Sequence, residues 1–209
     1  MTPPAVSKRL ARLEERLGVT LMQRTTRRIS LTAFPKISRI SVLISAKNPG
    51  WNIGTDAAPS KNWKETLDAA TALGVNLRHF EIQRVADLDD AFGAIIRDAT
   101  EALVVAQDPM FDSAPYRVVQ LAASNRLPAI CGPRVHVDAG GLMSYGPNIP
   151  DLYRQSAVFV AKILKGAPPG ELPIEQPTKF ELIINLKTAK ALGPTIPQSL
   201  LLRADEVIQ

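Results

Sequence analysis

The sequence predicts an α/β domain, a parallel sheet covered by helices on both faces. Three observations carry the prediction. From residue 38 onward, short apolar and β-branched runs alternate with stretches of helical spacing. A composition of 45% hydrophobic and 22% charged residues provides enough apolar surface for a core. No fixed-period repeat or low-complexity tract competes with a single layered domain. The expected divisions are 1–37, 38–166 and 167–209.

Residues 4–17 read as a helix, with Val6, Leu10, Leu13 and Leu17 on one stripe and Lys8, Arg12 and Arg16 on another. Gly18 ends it. A polar, basic stretch from Gln23 to Arg28 leads into Ile29-Ser30-Leu31-Thr32. Residues 1–39 hold nine basic side chains against Glu14 and Glu15, whereas the other 170 residues hold 16 basic and 18 acidic ones. The +5 net charge of the chain is therefore local, and it points the amino-terminal segment toward a polyanion.

The body opens with Ile40–Ser45 as a buried strand, followed by a loop containing Asn48-Pro49-Gly50. Trp63, Leu67, Ala70 and Leu73 have helical spacing, closed by Gly74, and Val75–Ile82 returns to strand. Asp87 is placed to cap a helix that buries Leu88, Ala91, Phe92, Ile95 and Ile96. Ala102–Ala106 is the next strand. Ser113–Arg126 reads as a helix with Tyr116, Val119, Leu121 and Ala122 inward. Strands at Leu127–Cys131 and Gly141–Tyr145 precede a helix capped by Asp151 and ended by Lys165-Gly166. Prolines 168, 169, 173 and 177 mark an extended connector. Beyond it lie a strand at Phe180–Asn185, a short helix ending at Gly193, and a helical piece containing Leu200-Leu201-Leu202, too apolar to be left in water.

Chemistry is sparse. Phosphate-cradling glycine motifs and a Gly-x-Ser-x-Gly turn are missing, and the single cysteine, Cys131, excludes an intramolecular disulfide. His136 and Asp138 have no companion ligands or nucleophile, so no catalytic residue, metal or cofactor is expected. The chain opens without a secretory signal and has no run of membrane-spanning length, so a cytoplasmic product without membrane insertion is expected.

Two loops at strand ends suit a small molecule, because open α/β sheets bind ligands beyond the carboxyl ends of their strands. In Gln107–Phe111, Asp108 can accept from an amine or hydroxyl and Phe111 can pack an apolar group; the same residues would equally serve as a helix cap and a core aromatic. In Asp138–Gly146, Ser144 and Tyr145 offer hydroxyls beside Gly140 and Gly141, which a plain tight turn would also use.

Residues 38–209 resemble the carboxyl-terminal part of ABC-transporter substrate-binding proteins of the tryptophan/tyrosine type. The matching segments are Asn48–Gly50, Asp108–Phe111, Leu127–Ile130, Ala139–Gly146, Lys162–Gly166 and Glu175–Leu182. The resemblance implies a single Rossmann-like periplasmic-binding-protein lobe with a basic amino-terminal helix and an extended carboxyl-terminal crossover tail. It also implies that the family's first lobe is not encoded here, so residues 171–209 would return toward a missing partner lobe. Residues 4–32 resemble the recognition helix and wing of LysR-type transcriptional regulators, through Pro4–Leu10, Leu13–Val19 and Gln23–Thr32. That resemblance implies DNA contacts by Lys8, Arg9, Arg12, Arg24 and Arg27.

The expected function is non-enzymatic, weak binding of a small solute at Asp108, Phe111, Ser144 and Tyr145, in a truncated domain fused to a DNA-binding fragment. A cytoplasmic DNA-binding regulator and a rearranged product without selected function are the alternatives. A homodimer through the apolar tail is also expected, since exposed apolar patches seek cover.

Overall fold

The computed structural model describes residues 37–51, 53, 59–173, 175, 177 and 179–209. The DNA-contact candidates Lys8, Arg9, Arg12, Arg24 and Arg27 lie outside the described residues.

Strand β1 (Arg39–Ser45) is buried along six of its seven residues, as its apolar run requires of a strand covered on both faces. β2 (Asn76–Ile82) pairs with it in parallel on one side and β3 (Ala102–Val105) in parallel on the other. The sheet continues in parallel through β4 (Ala129–Cys131) and β5 (Met143–Pro147). β6 (Phe180–Asn185) then joins β5 antiparallel, and β7 (Glu206–Ile208) runs parallel to β6. The order is β2-β1-β3-β4-β5-β6-β7.

Alternation along β1 divides the core. Val42 and Ile44 meet Trp63 of helix α1 (Lys61–Ala72) on one face. Leu43 faces the other way, with Leu103, Val105, Ala129 and Cys131, against α2 (Leu88–Arg97) and α4 (Pro115–Ser124). Leu88, Phe92 and Ile95 are almost wholly enclosed there, as the helical spacing predicts, but Ile96 lies at the edge, 39% exposed. On α1 only Trp63 and Ala70 are buried; Leu67 and Leu73 of the same stripe remain exposed.

The helix expected over 113–126 is α4, which runs over Pro115–Ser124, and a separate single turn precedes it. α3 (Pro109–Asp112) is one turn, and Pro115 starts α4 afresh. Proline suits the first turn of a helix and cannot continue one, so Pro115 starts α4 instead of extending α3. Val118, Val119 and Ala122 are buried, and Tyr116, expected inward, is 75% exposed. A further single turn, α5 (Val135–Asp138), follows the β4 end. Asp87 does not cap α2 through its side chain; it bonds the backbone amides of Gln83 and Arg84 in the preceding tight turn. For α6 (Ile149–Leu164) the cap is Asn148, accepting from the Asp151 amide at 2.8 Å, with Asp151 inside the first turn.

The carboxyl-terminal stretch joins the sheet of the lobe. Beyond the proline connector, β6 and β7 extend the same sheet, joined by α7 (Leu186–Leu192) and α8 (Gln198–Leu201). Gly193 closes α7 with φ 99°, a left-handed conformation that suits glycine. Leu182, Ile183 and Ile184 of β6 are buried, as are Ile196 and Leu200 beyond it. The apolar residues expected to form a dimer surface are thus largely covered within the chain, with Leu202 left outside. The helix that stays uncovered is α6: it buries none of its residues and exposes Tyr153, Val158, Val160, Ile163 and Leu164. No described helix is long and apolar enough to cross a membrane.

Candidate functional site

Strand order singles out one place on the sheet edge. From β1 the chain moves to β2 on one side, then returns past β1 to β3 on the other. The connections leaving β1 and β3 therefore diverge, and the carboxyl ends of these two strands form a topological switch point, where open α/β sheets hold ligands in a crevice.

Asn48 and Asp108 meet there. The Asn48 side-chain amide donates to the Gln107 carbonyl at 3.0 Å and to Asp108 Oδ2 at 2.8 Å. Asn48 Oδ1 accepts from the Gly50 amide at 2.9 Å, and Ser60, which caps α1, donates to the Gly50 carbonyl at 2.9 Å. Asp108 Oδ1 caps α3, accepting from the Met110 amide at 2.8 Å. Each carboxylate oxygen has one donor here and keeps acceptor capacity for another.

The neighbouring strand ends are drawn in closely by glycine. A Cβ on Gly146 of β5 would lie 2.6 Å from the Gly132 carbonyl oxygen, and one on Gly132 would lie 3.0 Å from Gln107 Cβ. Side chains at these positions would push the loops after β3 and β4 and the end of β5 apart. Arg134, just beyond, pairs with Asp138 and with Glu206 of β7, which holds its guanidinium in the charged form.

The four solute candidates are placed differently from one another. Asp108 stands at the crevice, 8% exposed. Phe111 points into the core beneath α2 and α4, 1% exposed, where it supports the loop from below. Ser144 and Tyr145 are successive residues of β5 and so lie on opposite faces of the sheet. Ser144 is buried, at 1%. Tyr145 is half-buried and stacks on Phe180 with ring centres 5.8 Å apart. Burial raises its phenol pKa; nearby Arg203 opposes the rise and Asp205 adds to it.

Asn48 is not among the sequence candidates, although its signal is present: an Asn-Pro-Gly turn beginning three residues past the end of β1. What a linear reading lacks is adjacency, because β1 and β3 are neighbours only once β2 has been placed outside them. A cavity of about 20 Å³ beneath the sheet, bordered by Val118, Val119, Leu127, Cys131 and Leu142, has room for about one water and not for a solute. Among the described residues no group of His, Cys, Asp and Glu side chains is arranged to hold a metal ion.

A mostly parallel α/β lobe with polar residues at the carboxyl ends of β1 and β3 has the architecture on which ligand-binding domains are commonly built. The sequence pattern of the family described as ABC transporter substrate binding protein matches residues 14–208, and the chain belongs to that family. The match begins at residue 14, inside the stretch expected to be a LysR-type reader.

Solved structures agree on the fold. A conserved domain protein from Vibrio cholerae is 26% identical with a TM-score of 0.69, over 84% of this chain and 56% of its own. The ABC domain of Streptococcus pneumoniae in complex with L-Trp is 24% identical with a TM-score of 0.70, over 85% of this chain and 58% of its own. An open, ligand-free substrate-binding protein with adhesive properties from Clostridium difficile is 21% identical with a TM-score of 0.54, over 85% of this chain and 56% of its own. The chain thus spans less than two thirds of the length of each. No curated protein is significantly similar to it.

Proposed function

We propose that this chain binds a small polar or amine-bearing solute at the crevice between β1 and β3, without chemical conversion. The supporting observation is the Asn48–Asp108 hydrogen bond, which brings two strand-end loops together around a carboxylate with unused acceptor capacity. Family membership makes a transported solute the natural ligand class. The L-Trp in the Streptococcus structure makes amino acids the first compounds to try.

Asp108 and Asn48 supply the polar contacts in this reading, and Tyr145 with Phe180 supplies an aromatic surface on the β5–β6 side. Phe111 and Ser144 act from behind, by holding loop and strand in place. The described lobe offers a solute one wall, which leaves much of a ligand in water, so weak binding by the lobe alone is expected, with a Kd of about 1 mM.

Titration calorimetry with a panel of amino acids, including L-tryptophan, tests the proposal. Asp108→Asn retains an oxygen for the α3 cap while removing the charge, so it should abolish binding of a cationic amine without unfolding the chain. Undiminished binding by Asp108→Asn would exclude the carboxylate as the recognition group.

A further inference from the structure

His136, on α5, is 1% exposed and has no hydrogen-bond partner at either Nδ1 or Nε2 among the described residues. Its Nδ1 lies 3.9 Å from Asp112 Oδ1 at the end of α3, and that oxygen is likewise buried and unpartnered. None of the three atoms has a partner at ordinary hydrogen-bond distance and angle, an arrangement that is costly for groups taken out of water. The groups around the imidazole are acceptors: the carbonyls of Pro133 and Phe111 act on it, and Asp112 faces Nδ1. A neutral imidazole needs a donor at one nitrogen, whereas this setting suits a ring protonated at both.

The position gives the pair its reach. Asp112 closes the turn that Asp108 opens, and His136 sits three residues beyond Pro133 in the segment leaving β4. We propose that His136 and Asp112 are positioning residues that share one proton taken up from solvent, and that this shared proton fastens the loop after β4 to the loop after β3 beside the solute crevice. On uptake, the imidazole N–H donates to the Asp112 carboxylate and the gap between α3 and α5 closes to hydrogen-bond length; on release, the turns separate to the spacing seen here. This inference rests on the strand ends being the solute site, but its chemistry concerns the solute-free chain.

Asp108 is the surrounding charge that acts on the pair. Burial, then Asp108, raises the Asp112 carboxyl to about 6, and burial lowers the His136 imidazole against the pull of the two carbonyls. Burial and then Asp112 push the Cys131 thiol of β4 to about 12, so it stays protonated. Arg117 of α4 is committed to Asp89, Glu181 of β6 to Asn148 and Lys179, and Arg134 to Asp138 and Glu206. Two groups this close titrate as a unit, with midpoints that belong to the pair.

Proton NMR of the full chain without solute tests the inference, following the His136 ring Cε1–H and the backbone amides of Met110, Asp112 and Val137 with pH. His79, the other histidine, is exposed on β2 and serves as the internal reference. The expected result is one midpoint common to the His136 ring and the amides of both loops. In Asp112→Asn the His136 midpoint falls by about one pH unit or more, and the Met110 amide no longer follows it. A His136 ring that does not titrate between about pH 4 and 8, or a Met110 amide indifferent to it in the unaltered chain, overturns the proposal. An unchanged His136 midpoint in folded Asp112→Asn does the same. Should Asp112→Asn not fold, the unaltered chain alone decides. None of these outcomes depends on whether a solute binds.

Discussion

Asn48 and Asp108 stand 60 positions apart in the chain and share a hydrogen bond of 2.8 Å. One residue follows β1 and the other follows β3, and the sheet makes them neighbours only because β2 is laid on the far side of β1. The contact is a consequence of topology, and the proposed solute site is built on it.

Asn48→Ala removes the donor to the Gln107 carbonyl and Asp108 Oδ2, and the acceptor for the Gly50 amide. A loss of about 1–3 kcal/mol in unfolding free energy is expected, since partly buried partners are left unmatched. Denaturant unfolding measures it. Amide exchange should speed up at Gly50 while remaining slow at Leu43 and Val105 in the core strands.

Gly146→Ala places a methyl group 2.6 Å from a backbone carbonyl oxygen, that of Gly132, which no side-chain rotation relieves. A destabilisation of about 1–3 kcal/mol is expected, with amide shifts changing at Gly132 and Arg134 as well as at the mutated position. A change confined to residue 146 would show that the β4 and β5 ends are less closely held.

The two groups of the buried pair should bend the pH dependence of stability in opposite directions. Asp112 has a raised folded pKa, so its contribution is complete below the ordinary aspartate value of 3.8 and is lost as pH rises through about 6. His136 has a lowered folded pKa, so its contribution is present above the ordinary histidine value of 6.5 and is lost as pH falls through the folded value. In the chain the two partly cancel between these limits. On acidification from pH 7 to pH 5, Asp112→Asn should therefore lose more Tm than the unaltered protein, and His136→Asn less. Parallel Tm profiles for all three would rule out the pair as a titrating unit.

Helical spacing predicts α2 well, and Phe92→Ala should cost about 3–5 kcal/mol because the ring is 1% exposed. On α6 the outcome is reversed. Leu164, at 82% exposure, can become Lys with a change within about 0.5 kcal/mol, although it looks equally apolar in the sequence. Thermal unfolding of the two variants separates these cases directly.

The contrast between Phe92 and Leu164 marks what the sequence can convey. Periodicity and β-branched runs reveal the alternating strands and helices of 38–166, since those signals arise from residues a few positions apart. The order of strands rests on pairings between distant segments, and so the antiparallel return of Phe180–Asn185 to β5 is not legible in them. The four-residue turn α5 and the three-residue β7 are too short to carry a period. At the site, Asp108 stands out because Pro109 follows it at a strand end, whereas its partner Asn48 needs the folded sheet to become relevant. Ser144 and Tyr145 look like a pair in the sequence, and strand alternation separates them.

The most direct measurement is a two-dimensional NMR titration of the full chain with amino acids, L-tryptophan among them. The account predicts saturable shifts at the amides of Asn48, Gly50, Gln107 and Met110, lost in Asp108→Asn for cationic solutes. Saturable shifts centred on another part of the sheet, with these four amides unmoved, would contradict it.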